Sequence, residues 1–191
     1  LEAIRKYSKK TKLYQASSSE MYGNVNTKSQ DENTSFHPIS PYAISKLHAH
    51  WMVGLYRTAY NIFCCSGILF NHDSPLRGDE FVTKKIVRDL LRVKLNKLPC
   101  IYLGNIYAKR DWGYSLDYVE AMWKMLQQKK ANDFVISSGI NYTVKSFVNE
   151  AAKNIGFDLK WTGKNLLEKG IDRATNKVIV RIKKDLFRPL E

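Results

Sequence analysis

Apolar positions along this chain follow two alternating patterns. The run "NIFCCSGILF" (61–70) has no polar face, as expected of a strand buried on both sides of a sheet. "KLYQASSS" (12–19), "PCIYL" (99–103) and "DFVISSG" (133–139) read as further strands. Between them apolar residues recur every three or four positions, which predicts amphipathic helices. These cover Pro41 to Tyr60, "SLDYVEAMWKMLQQ" (115–128) and "TVKSFVNEAAKNI" (143–155). A fourth covers Asp79 to Asn96, with Phe81, Ile86, Leu90, Leu91 and Val93 on its apolar side. Ser115 or Asp117 could cap the helix they open. "LKW" (159–161) and "KVIVRI" (177–182) are strand-like. Strands separated by helices imply right-handed crossovers, a parallel sheet and an α/β fold.

Such a sheet carries its ligand at the carboxyl ends of the strands. Three polar loops follow predicted strands there: "SSEMYGN" (18–24), "NHDSPLRGDEFV" (71–82) and "GNIYAKRDWGY" (104–114). All three are rich in groups that bind ligands or move protons. In "SPYAISKLHAHW" (40–51), Tyr42 and Lys46 are four apart and share a helix face. An ammonium beside a phenol stabilises the phenolate, so a tyrosine placed this way can take a proton from an alcohol near neutral pH. Tyr-x-x-x-Lys also arises by chance on many helices. Spacing alone leaves both readings open.

Composition narrows the classes. At 44% hydrophobic the chain suits a globular protein, and no apolar run approaches membrane-spanning length. The first residues, "LEAIRKYSKKTK", contain no signal-peptide core, lack a starting Met and read as part of a charged helix. We therefore expect a truncated chain. Three Cys, two of them adjacent, provide neither a disulfide framework nor metal-ligand spacing, which fits a reducing cytoplasm. His48 and His50 are too close along a helix to converge on one ion, so no metal site is expected. The formal charge of +13 raises nucleic-acid binding. However, the cations are spread through "RKYSKKTK", "VTKKIVRDLLRVKLNK" and "QQKK" without a recognition motif. Solvated faces are the favoured reading, with some attraction for a phosphorylated small molecule and no nucleic-acid partner expected.

The strand-end hydroxyls of "ASSSE" before the Tyr-Lys pair resemble those of extended short-chain dehydrogenase/reductases. Together, "YQASSSEMYG", "SPYAISK", "GILFNHDSP", "FVTKKI", "LGNIYAKRDWGYSLDYVEAMWKMLQ" and "FRPLE" resemble the GDP-mannose 4,6-dehydratase family from about Leu13 onward. The resemblance implies an NADP cofactor that borrows a hydride from sugar C4 and returns it to C6 after water is lost. GDP-mannose would become GDP-4-keto-6-deoxymannose. The residues implied as catalytic are Tyr42 (base at O4), Lys46 (support for Tyr42 and the nicotinamide ribose), Ser18 (bonded to O4) and Glu20 (acid/base at C5 and C6). Lys46, His72 and Arg77 would touch the cofactor. Asn71, Lys84, Asn105, Arg110, Arg188 and Glu191 would surround the GDP-sugar.

The implied domains are a partial NADP-binding Rossmann domain, the C-terminal half of its sheet (1–72 and 104–137), and a small GDP-sugar-binding domain (73–103 and 138–191). Full-length family members form dimers or tetramers. The chain departs from the family pattern in several places. It holds no G-x-x-G-x-x-G phosphate loop, Ser18 replaces Thr, Asp73 replaces Glu, and Leu76 replaces Arg. The expectation is that the 191 residues alone bind NADP poorly and are inactive, with "KLYQAS" as an open sheet edge. Two alternatives remain: another nucleotide-sugar epimerase or dehydratase of this family, or an inactive basic fragment that binds polyanions.

Overall fold

In the computed structural model the described residues are 1–25 and 27–187. Two residues expected at the GDP-sugar, Arg188 and Glu191, lie outside them. The chain divides into two compact units, residues 1–74 with 111–140 and residues 75–110 with 141–191.

The first unit opens with a short helix α1 (Glu2–Tyr7), followed by strand β1 (Leu13–Ser18) and a 3₁₀ turn (Ser19–Met21). Helix α2 (Pro41–Tyr60) starts where local chemistry says it should. Ser40 accepts a hydrogen bond from the Ala43 amide (3.1 Å), and Pro41 occupies the first turn, where no amide donor is needed. It ends at Asn61 in the left-handed region (φ 52°). Strand β2 (Cys64–Leu69) is buried at all six residues. With β6 (Asp133–Ile136) it forms a parallel sheet of order β1-β2-β6. Successive residues of β2 point to opposite faces. Cys64 packs with Val53 and Ile62, at α2 and the residues just after it, while Cys65 contacts the carbonyl of Met125 in helix α4 (Ser115–Leu126). The two helices thus cover opposite faces, which is why β2 reads as an uninterrupted apolar run. Just past β2, strand β3 (Asn71–Asp73) pairs in parallel with the end of β5 (Lys109–Tyr114).

The second unit holds helix α3 (Val82–Lys94), strand β4 (Ile101–Leu103), β7 (Asn141–Thr143), helix α5 (Val144–Ile155), β8 (Leu159–Thr162), β9 (Lys169–Asp172) and β10 (Val178–Ile182). Its sheet has the order β4-β10-β9-β8. This sheet is mixed: β10 runs parallel to β4 but antiparallel to β9, and β8 is antiparallel to β9. The expectation of a parallel sheet thus holds in the first unit only. The reason is local. A tight turn with Asn176 in the left-handed region (φ 55°), not a helix, joins β9 to β10, and "KGID" in β9 has too few apolar residues to be recognised as a strand. Helices α3 and α5 pack on each other, α3 on β4 and α5 on β8. Ile101, Leu103 and Val180 form the buried inner layer, while Tyr102 and Arg181 lie on the outer face.

Boundaries moved in three helices: α3 is shorter at both ends, α4 ends at Leu126 and α5 begins at Val144. Helix α3 begins at Val82 instead of Asp79, because the Phe81 amide closes a turn onto the Gly78 carbonyl (3.2 Å). Phe81 and Leu91 are exposed, leaving Ile86, Leu90 and Val93 as its core face. Neither Ser115 nor Asp117 caps α4; Tyr114 holds that position without a side-chain bond. Residues 104–110 lie with the second unit, whereas the expected domain boundary put them with the first. Hydrogen bonds from Val144 to Ala108 and from Lys145 to Ile106 tie that segment to the start of α5.

Candidate active site

The carboxyl end of β1 is where proton-handling groups collect. Ser18 is β1's last residue and nearly buried, and its Oγ accepts a hydrogen bond from the Glu20 amide (3.2 Å), which fixes the following 3₁₀ turn. That turn leaves Glu20 exposed. Helix α2 packs on both β1 and this turn. Its first two turns present Tyr42 and Lys46 on one face, with the Lys46 ammonium 5.7 Å from the Tyr42 ring centroid. Lys46 also donates to the Ala16 carbonyl of β1 (2.9 Å), which ties the helix face to the strand end. Tyr42 remains 52% exposed, so its hydroxyl is open to a ligand.

Ser18 is in register with Leu69, so the residues after β2 emerge at the same end of the sheet. They include Asn71, half-buried in β3, and His72. The His72 ring stacks on Tyr118 (centroids 4.5 Å apart), and its Nδ1 lies 2.9 Å from the Phe70 carbonyl. This fixes the ring plane and the orientation of both nitrogens. Six of the expected residues, Ser18, Glu20, Tyr42, Lys46, Asn71 and His72, therefore belong to one end of the first unit's sheets.

The family model for GDP-mannose 4,6 dehydratase matches residues 1–191. The chain belongs to the GDP-mannose 4,6-dehydratase family. It is 50% identical over 193 residues to the GDP-mannose 4,6 dehydratase of Dictyostelium discoideum, covering all of this chain and 54% of that protein. It is 49% identical over 180 residues to the Homo sapiens protein of the same name, covering 94% of this chain and 48% of that one. The chain thus spans about half the length of the curated relatives it matches. Among solved structures it resembles dTDP-glucose 4,6-dehydratase from Bacillus anthracis in complex with NAD (TM-score 0.74, 25% identity, 81% of this chain and 49% of that one). It also resembles a UDP-N-acetylglucosamine 4-epimerase from Methanobrevibacter ruminantium (TM-score 0.77, 18% identity, 100% and 54%), a likeness of fold alone. RMD from Pseudomonas aeruginosa, complexed with NADPH, has the same fold (TM-score 0.74, 22% identity, 90% and 53%).

In this family member the other four described candidates belong to the second unit. The Arg77 guanidinium lies 3.5 Å from the Phe81 ring centroid. Lys84 donates to the Pro75 carbonyl (2.7 Å) and its neighbour Lys85 to the Tyr102 carbonyl (3.2 Å), so the two lysines point to different partners. Arg110 donates to the Lys109 carbonyl (2.8 Å). Asn105 lines a cavity of about 430 Å³ together with Ile106, Tyr107, Leu166, Lys184 and Phe187. Gly104 at its edge touches the backbone of Leu186; any side chain there would collide with that carbonyl.

Two buried ionic clusters escaped the sequence reading. In the first unit, Ser17 bonds His50 (3.0 Å), His50 Nε2 faces Asp133 (3.9 Å), and Arg57 holds both Asp133 oxygens. Burial lowers the His50 pKa and nearby Arg57 adds to this, against the pull of Asp133. In the second unit, the carboxylate of Glu168 at the cavity accepts from Tyr107 (2.7 and 2.9 Å) and Lys145 (2.6 Å). Burial pushes the Glu168 pKa up, but these bonds outweigh it and hold the carboxyl below its ordinary value. One signal for His50 was available: it falls on the same helical face as Ala43, Leu47 and Val53, all buried. Nothing in the sequence linked Glu168 to residues 23 and 61 positions away. Among the described residues there is no group of three or more His, Cys, Asp or Glu that could hold a metal ion, and no helix long and apolar enough to cross a membrane.

Proposed function

We propose that this chain carries the proton-transfer and sugar-nucleotide part of a GDP-mannose 4,6-dehydratase. The observation that supports this most directly is the Lys46 ammonium, bonded to the end of β1 while facing the Tyr42 ring, beside a turn that carries Ser18 and Glu20. Tyr42 takes the proton from the sugar O4 hydroxyl, Lys46 stabilises the phenolate, and Ser18 holds O4 through a hydrogen bond. Glu20 removes the proton at C5 once C4 is a ketone, then protonates the departing C6 hydroxyl. The order is dictated by acidity: without the ketone, that C–H is far too weak an acid for a carboxylate. A plain dehydrogenase has no use for an acid at Glu20, and a pure 4-epimerase removes no C5 proton, which favours the dehydratase over both.

The donor set at this strand end fits a nicotinamide cofactor. Lys46 commits one of its three donors to Ala16, leaving two for the ribose hydroxyls, and His72 offers an oriented ring nitrogen. NADP, when bound, supplies the oxidation at C4 and the reduction at C6. Arg77 would add a charge-assisted contact to it. Asn71, Lys84, Asn105 and Arg110 are proposed at the GDP-sugar, with Arg188 and Glu191, and the cavity beside Asn105 suits its nucleotide part. Exposed Ile44, Trp51 and Leu55 on α2 support a homo-oligomer, and three buried free thiols suit the cytoplasm.

The sequence holds no glycine-rich loop for the dinucleotide phosphates. The test therefore uses two proteins: the chain itself, and the chain fused behind the N-terminal part of the Dictyostelium relative. The fusion should convert GDP-mannose to its 4-keto-6-deoxy product, seen by mass spectrometry as loss of water, and the chain alone should not. A folded fusion that binds GDP-mannose without forming the keto sugar would overturn the proposal.

A further inference from the structure

The net charge of +13 is unevenly shared between the units. The first has 11 Lys and Arg against 9 Asp and Glu; the second has 20 against 9. Part of this excess lies on the outer face of the second unit's sheet. Register partners Tyr102, Arg181, Lys169 and Thr162 form one straight row across β4, β10, β9 and β8. Strands about 4.8 Å apart make this row roughly 14 Å long. Lys160, two residues before Thr162 on β8, projects from the same face. Tyr102 is 45% exposed, and Arg181 and Lys160 are exposed as well.

Two features distinguish the row from an ordinary solvated face. Arg181 and Lys169 sit directly opposite each other on antiparallel strands, where like charges destabilise the pair. Neither they nor Lys160 form a side-chain hydrogen bond or ion pair among the described residues. An aromatic ring flanks the cations at one end. We propose that this face binds single-stranded nucleic acid, with a base on Tyr102 and phosphates on Arg181, Lys169 and Lys160. A second copy of the chain would bring like charge to like charge. An acidic peptide would satisfy the cations but leave Tyr102 unused.

The proposal is independent of the dehydratase reading and is tested on the same chain. Binding of a labelled 20-nucleotide single-stranded RNA is measured by fluorescence anisotropy over a salt series. We expect binding that weakens steeply with salt. Tyr102→Ala should weaken it roughly tenfold with an unchanged salt slope. Arg181→Glu with Lys169→Glu should abolish it, whereas Lys97→Glu with Lys153→Glu, equal in charge change and elsewhere on the unit, should weaken it no more than about threefold. Circular dichroism checks that each variant folds as the unaltered chain does. No RNA binding, equal loss in both charge-reversal pairs, or tighter binding of polyglutamate or anionic vesicles would each overturn the proposal.

Discussion

The two units bury charge in opposite settings. In the first, Ser17, His50, Asp133 and Arg57 form a closed cluster behind an exposed reactive edge, and the groups assigned to chemistry, Tyr42 and Glu20, stay open to solvent. In the second, Glu168 and Tyr107 themselves line the cavity, with Lys145 bonded to Glu168 behind them. A reactive edge needs a stiff backing because proton transfer depends on placement to a fraction of an ångström. A binding cavity can use its own buried charges as walls. Loss of an ionic partner should therefore act on stability and ligand binding together in the second unit, and mainly on geometry in the first.

The largest effects should come from the exposed edge. In the fused protein, Tyr42→Phe should lower turnover roughly a thousandfold with little change in GDP-mannose affinity. Glu20→Gln should abolish water loss while leaving the sugar bound. Elimination at the normal rate in that variant would remove Glu20 from its role. Next, Glu168→Ala should cost about 3 kcal/mol in urea unfolding, because it leaves the Lys145 ammonium in a half-buried site without its partner. It should also weaken GDP-mannose binding, and a stability loss without an affinity loss would break the comparison. Ser40→Ala removes the cap of α2 and should cost about 1 kcal/mol. Since the same turn carries Tyr42, turnover should fall more than stability alone explains.

The smallest effect is a pair of pH windows. His50 is held below its ordinary 6.5 by burial, so its folded site favours the neutral ring. That stability is present above pH 6.5 and declines as the pH falls through the lowered value. Glu168 is held below 4.5, so its contribution is present above that pH and is lost in more acidic solution. Urea midpoints from about pH 8 to about pH 3 should fall in two stages, and His50→Gln should flatten only the first.

Period alone determined α2 from Pro41 to Tyr60, and the apolar run of β2 correctly announced a strand covered on both sides. The same period also placed Tyr42 and Lys46 on one face, because helix geometry makes residues four apart neighbours in any context. Position after a strand marked only the loop 18–24 as a place for a ligand; Ser18 and Glu20 were singled out within it by the resemblance to the family. What the sequence could not reveal depends on contacts between distant residues. Strand β9 has no apolar pattern of its own and exists only through its pairing with β8 and β10. The bond from Lys46 to Ala16 spans thirty positions. Cations that look evenly spread along the chain fall mostly in one unit, three of them on one sheet face, because strand register, set by hydrogen bonds between segments, decides which side chains become neighbours.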